Sequence, residues 1–154
     1  PQRFEEVAGL LAEHGLNVVR RSNSLPEATT QIWLGDSMGE MAAYFSLADL
    51  AFIGGSLLPL GGQNLIEAAA CGCPVLVGPH TFNFLQATED AIAAGAARRI
   101  DDAAALGVAI DGLLRNREEL AAMRDAAGRF MLAHQGAGQR MLALIERWSG
   151  QAGR

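Results

Sequence analysis

Hydrophobic residues recur along the chain at two alternating spacings. The first helical stretch carries its apolar residues at Phe4, Val7, Leu10 and Leu11, and a short β-branched run in HGLNVVRRS follows it. The same alternation continues to about residue 101, with short apolar runs in TTQIWLGD, LAFIGG, PVLVGPH and AARRI. Strands that are apolar along their whole length and alternate with helices indicate a parallel sheet covered on both faces. The pattern therefore predicts an α/β, Rossmann-like domain with a parallel sheet and a helical C-terminal segment.

The remaining pattern predicts where helices begin and end. SMGEMAAYFSLAD opens with the Ser-x-x-Glu spacing of a capping box, NLIEAAACG is a short helix, and NFLQATEDAIAAGA is another. Beyond Asp101 the spacing is wholly helical, over about 102–114, 117–134 and 137–148. We expect one domain over residues 1–148 and a polar tail over 149–154.

Composition narrows the function. The chain has 154 residues, 50% hydrophobic, and its 12 basic and 17 acidic side chains give a net charge of -5, which argues against nucleic acid as a partner. All basic residues are arginine, so Schiff-base chemistry and a P-loop lysine are excluded. Cys71 and Cys73 are too few for a structural zinc site and suit a reduced compartment. We expect no metal or cofactor, no membrane span and a soluble fragment.

The loops after the predicted strands are the expected ligand edge, because ligands of open parallel sheets collect at the carboxyl ends of the strands. In GDSMGE, a helix beginning after a strand would point the amides of Met38, Gly39 and Glu40 at an anion such as phosphate. The alternative is that Ser37 and Glu40 only cap their own helix.

The segment GGSLLPLGGQN places two glycine pairs around a short apolar stretch, which frees the backbone for close approach. Asn64 and Glu67 follow, three residues apart. They form either a variant capping box or a ribose site, in which the two oxygens of Glu67 accept from vicinal hydroxyls. His80, in GPHTFNF, is either a structural polar contact or a donor to a sugar or phosphate oxygen.

Two segments together carry a family resemblance: LGDSMGEM and ADLAFIGGSLLPLGGQNLIEAAACGCPVLVGPHTFNF. They resemble the carboxyl-terminal half of the 3-deoxy-D-manno-octulosonic acid (Kdo) transferase family. The resemblance extends from the start of the chain to about Gly95. It implies the second, donor-binding domain of a GT-B glycosyltransferase, with CMP-Kdo as the donor. The implied nucleotide contacts are Met38, Gly39, Glu40, Asn64, Leu65, Ile66 and Glu67, and further candidate donor contacts are Gly55, Ser56, Gly62 and His80.

Two departures from the family pattern are visible. Gln63 stands where the family commonly has histidine, so an ionisable role is lost there. The family's Pro-Arg-His segment, whose arginine contacts the nucleotide, would precede Pro1. The resemblance places the catalytic base, a glutamate, in an amino-terminal domain that this chain does not include, so no catalytic residue is expected here.

The resemblance further implies transfer of Kdo to a lipid A precursor by inverting displacement, with CMP as the leaving group and no metal. The partners would be CMP-Kdo, the lipid acceptor and the amino-terminal domain, at the cytoplasmic side of the bacterial inner membrane. The isolated chain should be inactive. The alternatives are the donor domain of another GT-B transferase or an epimerase using a UDP-sugar, and a non-catalytic α/β interaction domain.

Overall fold

A computed structural model describes residues 3–134. The chain divides into two compact units, the first ending at Met41 and the second beginning at Ala42. The helix predicted over 137–148 and the tail over 149–154 lie outside the described residues. Within residues 3–134 no helix is both long enough and apolar enough to cross a bilayer.

The first unit consists of one helix and two short parallel strands. Helix α1 spans Phe4–Glu13, and strands β1 (Val18–Arg20) and β2 (Ile32–Leu34) pair in register from Val18 opposite Ile32 to Arg20 opposite Leu34. None of the residues of α1 is fully buried, and all six strand residues are only partly buried. The unit is therefore small, and its strands run directly into a polar loop region.

The second unit has a three-stranded parallel sheet in the order β3-β4-β5. Its strands are β3 (Ala51–Phe52), β4 (Val75–Val77) and β5 (Ala97–Arg99). Its helices are α2 (Met41–Leu47, which starts at the boundary), α3 (Ile66–Ala70), α4 (Leu85–Ala93, preceded by a 3-10 turn over Phe82–Phe84), α5 (Ala103–Arg115) and α6 (Arg117–His134).

Side chains of the central strand β4 alternate between two apolar clusters. Val75 and Val77 belong to a cluster that includes residues of α3, α4 and α6, whereas Leu76 belongs to a cluster with Leu113 of α5 and Met123 of α6. Successive residues of a strand point to opposite faces, so the continuous apolar run in PVLVG is the sign of a strand covered on both sides. The predicted α/β class with helices on both faces of a parallel sheet is confirmed.

All five predicted strands are present, and their pairing is parallel. They form a two-stranded and a three-stranded ladder, where the hydrophobic pattern predicted one sheet. Helices α5 and α6 lie within one residue of the predicted ranges. The predicted start of α2 at Ser37 is wrong, because the helix begins only at Met41.

Candidate functional site: the loops after the parallel strands

The loop after β2 is not the first turn of a helix. Gly39 has a φ of +81°, a left-handed conformation that cannot continue a right-handed helix, and α2 begins only at Met41. The Ser37 hydroxyl donates to the Glu40 carboxylate, whereas a capping box would have it accept from a backbone amide. The predicted helix N-terminus over residues 38–40 is therefore corrected: Gly39 is there for its φ, and these residues form an extended turn before the helix.

The amides of residues 38–40 in this turn have no hydrogen-bond partner among the described residues. Among residues 3–134, no acceptor receives a hydrogen bond from the backbone amides of Met38, Gly39 or Glu40. The Met38 side chain is 75% exposed. Consecutive unpaired amides around a left-handed residue are the kind of concave donor surface that binds anions. The turn thus keeps the donors that the sequence predicted, in a different backbone conformation.

Two carboxylates fix this turn to the end of β1. The backbone amide and hydroxyl of Ser22 donate to Asp36 at 2.8 and 2.7 Å, and the guanidinium of Arg21 donates to Glu40 at 2.8 Å. The Ser22 hydroxyl is the main reason that the pKa of Asp36 lies below its usual value. For Glu40 the main cause of a lowered pKa is the Ser37 hydroxyl, with Arg21 adding to it. Both Glu40 oxygens are therefore occupied within the protein.

In the second unit, the loop after β3 is organised around a buried hydroxyl. Ser56 is fully buried, and its Oγ donates to the carbonyl of Ile53 at 2.5 Å and accepts from the amide of Gly78 at 2.8 Å. Its carbonyl accepts from the amide of His80 at 2.9 Å. These bonds join the loop after β3 to the loop after β4. Since every polar group of the Ser56 side chain is used internally, we assign it a structural role rather than a direct donor contact.

Glycines allow these two loops to touch. A Cβ built on Gly78 would overlap the Ser56 carbonyl and lie 2.7 Å from the Leu57 amide nitrogen. Gly61, at a φ of +89°, lies so close to Phe82 that a Cβ would be 2.6 Å from that ring. Gly55 and Gly62 also have positive φ, and Gly62 is buried. Close packing between the loops therefore explains Gly61 and Gly78, and a positive φ explains Gly55 and Gly62.

Asn64 and Glu67 lie at the start of α3 and contact each other. The Asn64 Oδ1 accepts from the Ile66 amide at 3.0 Å, and its Nδ2 donates to Glu67 Oε1 at 3.2 Å. Asn64 therefore stabilises the helix start through the amide two residues on, one residue ahead of the cap position at Leu65. Glu67 is exposed, and its Oε2 accepts no hydrogen bond from residues 3–134. One oxygen serves the helix, and the other is available to a ligand.

Leu65 and Ile66 differ in what they can present to a ligand. The Leu65 side chain is buried in the core, whereas that of Ile66 is 37% exposed. His80 is half-buried, and its imidazole has no hydrogen-bond partner within the described residues. The His80 imidazole in the loop after β4 thus retains polar atoms that a ligand could contact.

Arg99 is a functional candidate that sequence reasoning missed. Its guanidinium reaches the carbonyls of Gly78 and Pro79 at 3.4 and 3.2 Å, and also contacts Glu89 at 2.6 Å. The two consecutive arginines of β5 were the available signal, because a charge on a covered face requires partners.

Among the residues that the structure describes, no three His, Cys, Asp or Glu side chains are grouped closely enough to hold a metal ion. Cys73 is buried, and burial raises the pKa of its thiol, which makes it a poor nucleophile. Within residues 3–134, the first unit offers the unpaired amides of residues 38–40, and the second offers Glu67 Oε2 and the His80 imidazole. Such groups can hydrogen-bond to a polar ligand.

The chain is similar in sequence to known transferases. A 3-deoxy-D-manno-octulosonic acid transferase of Bordetella pertussis is 50% identical over 153 residues, 97% of this chain and 36% of the relative. One of Haemophilus influenzae is 38% identical over 148 residues, 95% of this chain and 35% of the relative. No protein-family model matches the chain.

A solved structure matches the fold. The C-terminal CMP-Kdo binding domain of WaaA from Acinetobacter baumannii superposes with a TM-score of 0.81 at 32% identity, covering 85% of this chain and 69% of that one. The fold is thus that of the C-terminal domain of a GT-B glycosyltransferase. The chain belongs to the 3-deoxy-D-manno-octulosonic acid (Kdo) transferase family, and it spans about a third of the length of the curated relatives it matches.

Proposed function

We propose that this chain is the donor-binding half of a Kdo transferase and that its ligand is CMP-Kdo. The observation that carries the proposal is the similarity, across 85% of the chain, to the C-terminal CMP-Kdo binding domain of WaaA. The free polar groups described above support it, because a nucleotide sugar offers a phosphate for amide donors and vicinal hydroxyls for a carboxylate.

Each group has a proposed part. The unpaired amides of Met38, Gly39 and Glu40 bind the phosphate, and Glu67 Oε2 accepts from a ribose hydroxyl while Asn64 holds Oε1. The backbone at Leu65 and Ile66 lines the same helix start. Amides fixed in advance also stabilise the charge that develops on CMP as it leaves.

The remaining steps belong to the whole protein. We propose that the base that deprotonates the acceptor hydroxyl lies in an amino-terminal domain outside this chain, and that the acceptor is a lipid A precursor at the cytoplasmic side of the bacterial inner membrane. The hydroxyl oxygen then attacks the anomeric carbon of Kdo with inversion, and the bond to CMP breaks. This chain alone should show no transfer.

The test compares nucleotides on wild-type protein and two glutamate variants. CMP should bind more tightly than UMP, and Glu67→Ala should weaken CMP binding by about tenfold through loss of one charge-assisted hydrogen bond. Glu118→Ala is the matched control, since Glu118 is also exposed in the first turn of a helix and should leave CMP affinity unchanged.

The outcomes separate the alternatives. Tighter binding of UMP than CMP would assign the chain to a UDP-sugar enzyme. Absence of binding to either nucleotide would favour an interaction domain. Lost stability with unchanged CMP affinity in Glu67→Ala would restrict Glu67 to capping its helix, and transfer by the isolated chain would contradict a base located elsewhere.

A further inference from the structure

Arg99 lies at the carboxyl end of β5, beside the loop that follows β4. It is the last residue of the strand and pairs in register with Val77, the last residue of β4. Its side chain is 28% exposed. From there one guanidinium nitrogen faces three acceptors of a single loop: the carbonyl of Gly78 at 3.4 Å, that of Pro79 at 3.2 Å and the Thr81 hydroxyl at 3.4 Å. The other terminal nitrogen contacts Glu89 of α4 at 2.6 Å.

The same loop is held from its opposite side by Ser56. There the amides of Gly78 and His80 donate to the hydroxyl and the carbonyl of Ser56. Ser56 therefore binds two amides of residues 78–81, and Arg99 binds two of their carbonyls and the Thr81 hydroxyl. His80 lies between the anchored positions, with its imidazole free of partners within the described residues.

The contacts of Arg99 depend on its planar, branched group. A guanidinium presents five donors in a fixed fork and can serve several acceptors at once, whereas a lysine ammonium is a point charge on a flexible stem. Glu89 supplies the opposite charge and limits the rotation of the fork. The combination orders a short loop that has no regular secondary structure.

We propose that Arg99 is a positioning residue of the donor site: paired with Glu89, it fixes loop 78–81 so that the His80 imidazole is oriented toward the nucleotide. Arg99 acts through the loop and does not itself touch the ligand. This inference rests on the proposed function of the domain.

The chain contains a matched control on the same strand. Arg98 precedes Arg99, points to the other face of the sheet and pairs with Glu119 of α6. Arg98→Lys and Arg99→Lys therefore make the same chemical change on opposite faces. Glu89→Gln removes the charge that orients Arg99 and leaves the arginine in place.

The experiment measures CMP affinity by calorimetry, hydrogen exchange of the Gly78 and His80 amides without ligand, and the thermal midpoint. Arg99→Lys should speed exchange at these amides and raise the Kd for CMP by about fivefold, the equivalent of about one hydrogen bond. Glu89→Gln should do the same more weakly. Arg98→Lys should leave both readouts within about twofold of the wild type, whatever its effect on the midpoint.

Equal CMP affinity in Arg99→Lys and Arg98→Lys would overturn the positioning role, even if exchange at the loop were faster. Unchanged exchange in Arg99→Lys would also overturn it, because the loop would then not depend on the arginine. If wild-type protein binds no CMP, the proposed function fails by itself. The exchange comparison still decides whether Arg99 orders the loop.

Discussion

The two units hold their strand-end loops by different physical means. In the first unit, the turn over 36–40 is held by side chains, with Ser22 on Asp36 and Arg21 on Glu40. In the second unit, the loops after β3 and β4 are held by backbone contact, with glycines where a side chain would collide and one buried serine between them. The first arrangement depends on charge and therefore on pH and salt, whereas the contact between the loops after β3 and β4 depends on shape. Loops with similar expected roles should thus lose their structure under different conditions.

The largest effect should come from filling the space at Gly78. Gly78→Ala places a methyl group against the Ser56 carbonyl and the Leu57 amide, both of which are backbone atoms that cannot swing aside. We expect a loss of about 3 kcal/mol in the free energy of unfolding, measured by urea denaturation. Gly107→Ala is the control: a Cβ there meets nothing within 4 Å, and alanine in a helix should stabilise by up to about 1 kcal/mol. Equal stability of the two variants would refute the steric account.

Removing the Ser56 hydroxyl should come next. Ser56→Ala leaves the Gly78 amide buried without its acceptor, which should cost about 2 kcal/mol of unfolding free energy. Chemical shifts should move at Gly78 and His80 and stay constant at Ser22 of the first unit. Ser56→Cys, of nearly the same volume, would separate the lost hydrogen bond from lost packing. A loss below a few tenths of a kcal/mol would mean that the hydroxyl contributes little.

Asn64 holds the start of α3 through a polar side chain in the second unit, so it sharpens the comparison. Asn64→Ala removes the acceptor of the Ile66 amide and should cost about 1 kcal/mol. Asn64→Asp keeps that acceptor, but it places a second carboxylate beside Glu67. Thermal midpoints should therefore fall for both variants. Only the aspartate variant should recover on lowering the pH, and a midpoint of Asn64→Ala equal to wild type would exclude the capping role.

The smallest effect on global stability should be a local response to acid in the first unit. The pKa values of Asp36 and Glu40 are lowered by folding, so their stabilising contribution is complete above the unfolded values near 3.8 and 4.5 and is lost as the pH falls through the folded values. Amide shifts of Ser22 should change below about pH 4, before those of Gly62. Simultaneous change at both amides would contradict the distinction between the two units.

The structure of segments with a periodic apolar pattern could be predicted from the sequence. The conformation of residues that depend on contacts with distant parts of the chain could not. The apolar spacing of α6 gave its range of 117–134 because that helix buries one face, with Met123 and Phe130 on it. The prediction that Gly39 is helical was wrong, because the residue type alone does not determine φ. The pairing of Ser56 with Gly78 joins positions 22 residues apart, so local pattern could not reveal it. The proximity of Asn64 and Glu67 was predicted, because both lie within one helical turn.

Arg98 and Arg99 also carry information about alignment between strands. A shift of β5 by one residue along β4 would turn each arginine to the face now occupied by the other, because side chains alternate along a strand. Each charge would then face a helix that lacks its carboxylate partner, since Glu119 and Glu89 are on different helices on opposite sides. Strand β5 has only one apolar residue, Ala97, and therefore no bulky apolar side chain to signal the correct alignment. The two ion pairs thus together favour the correct alignment of β5 with β4 when the sheet forms during folding.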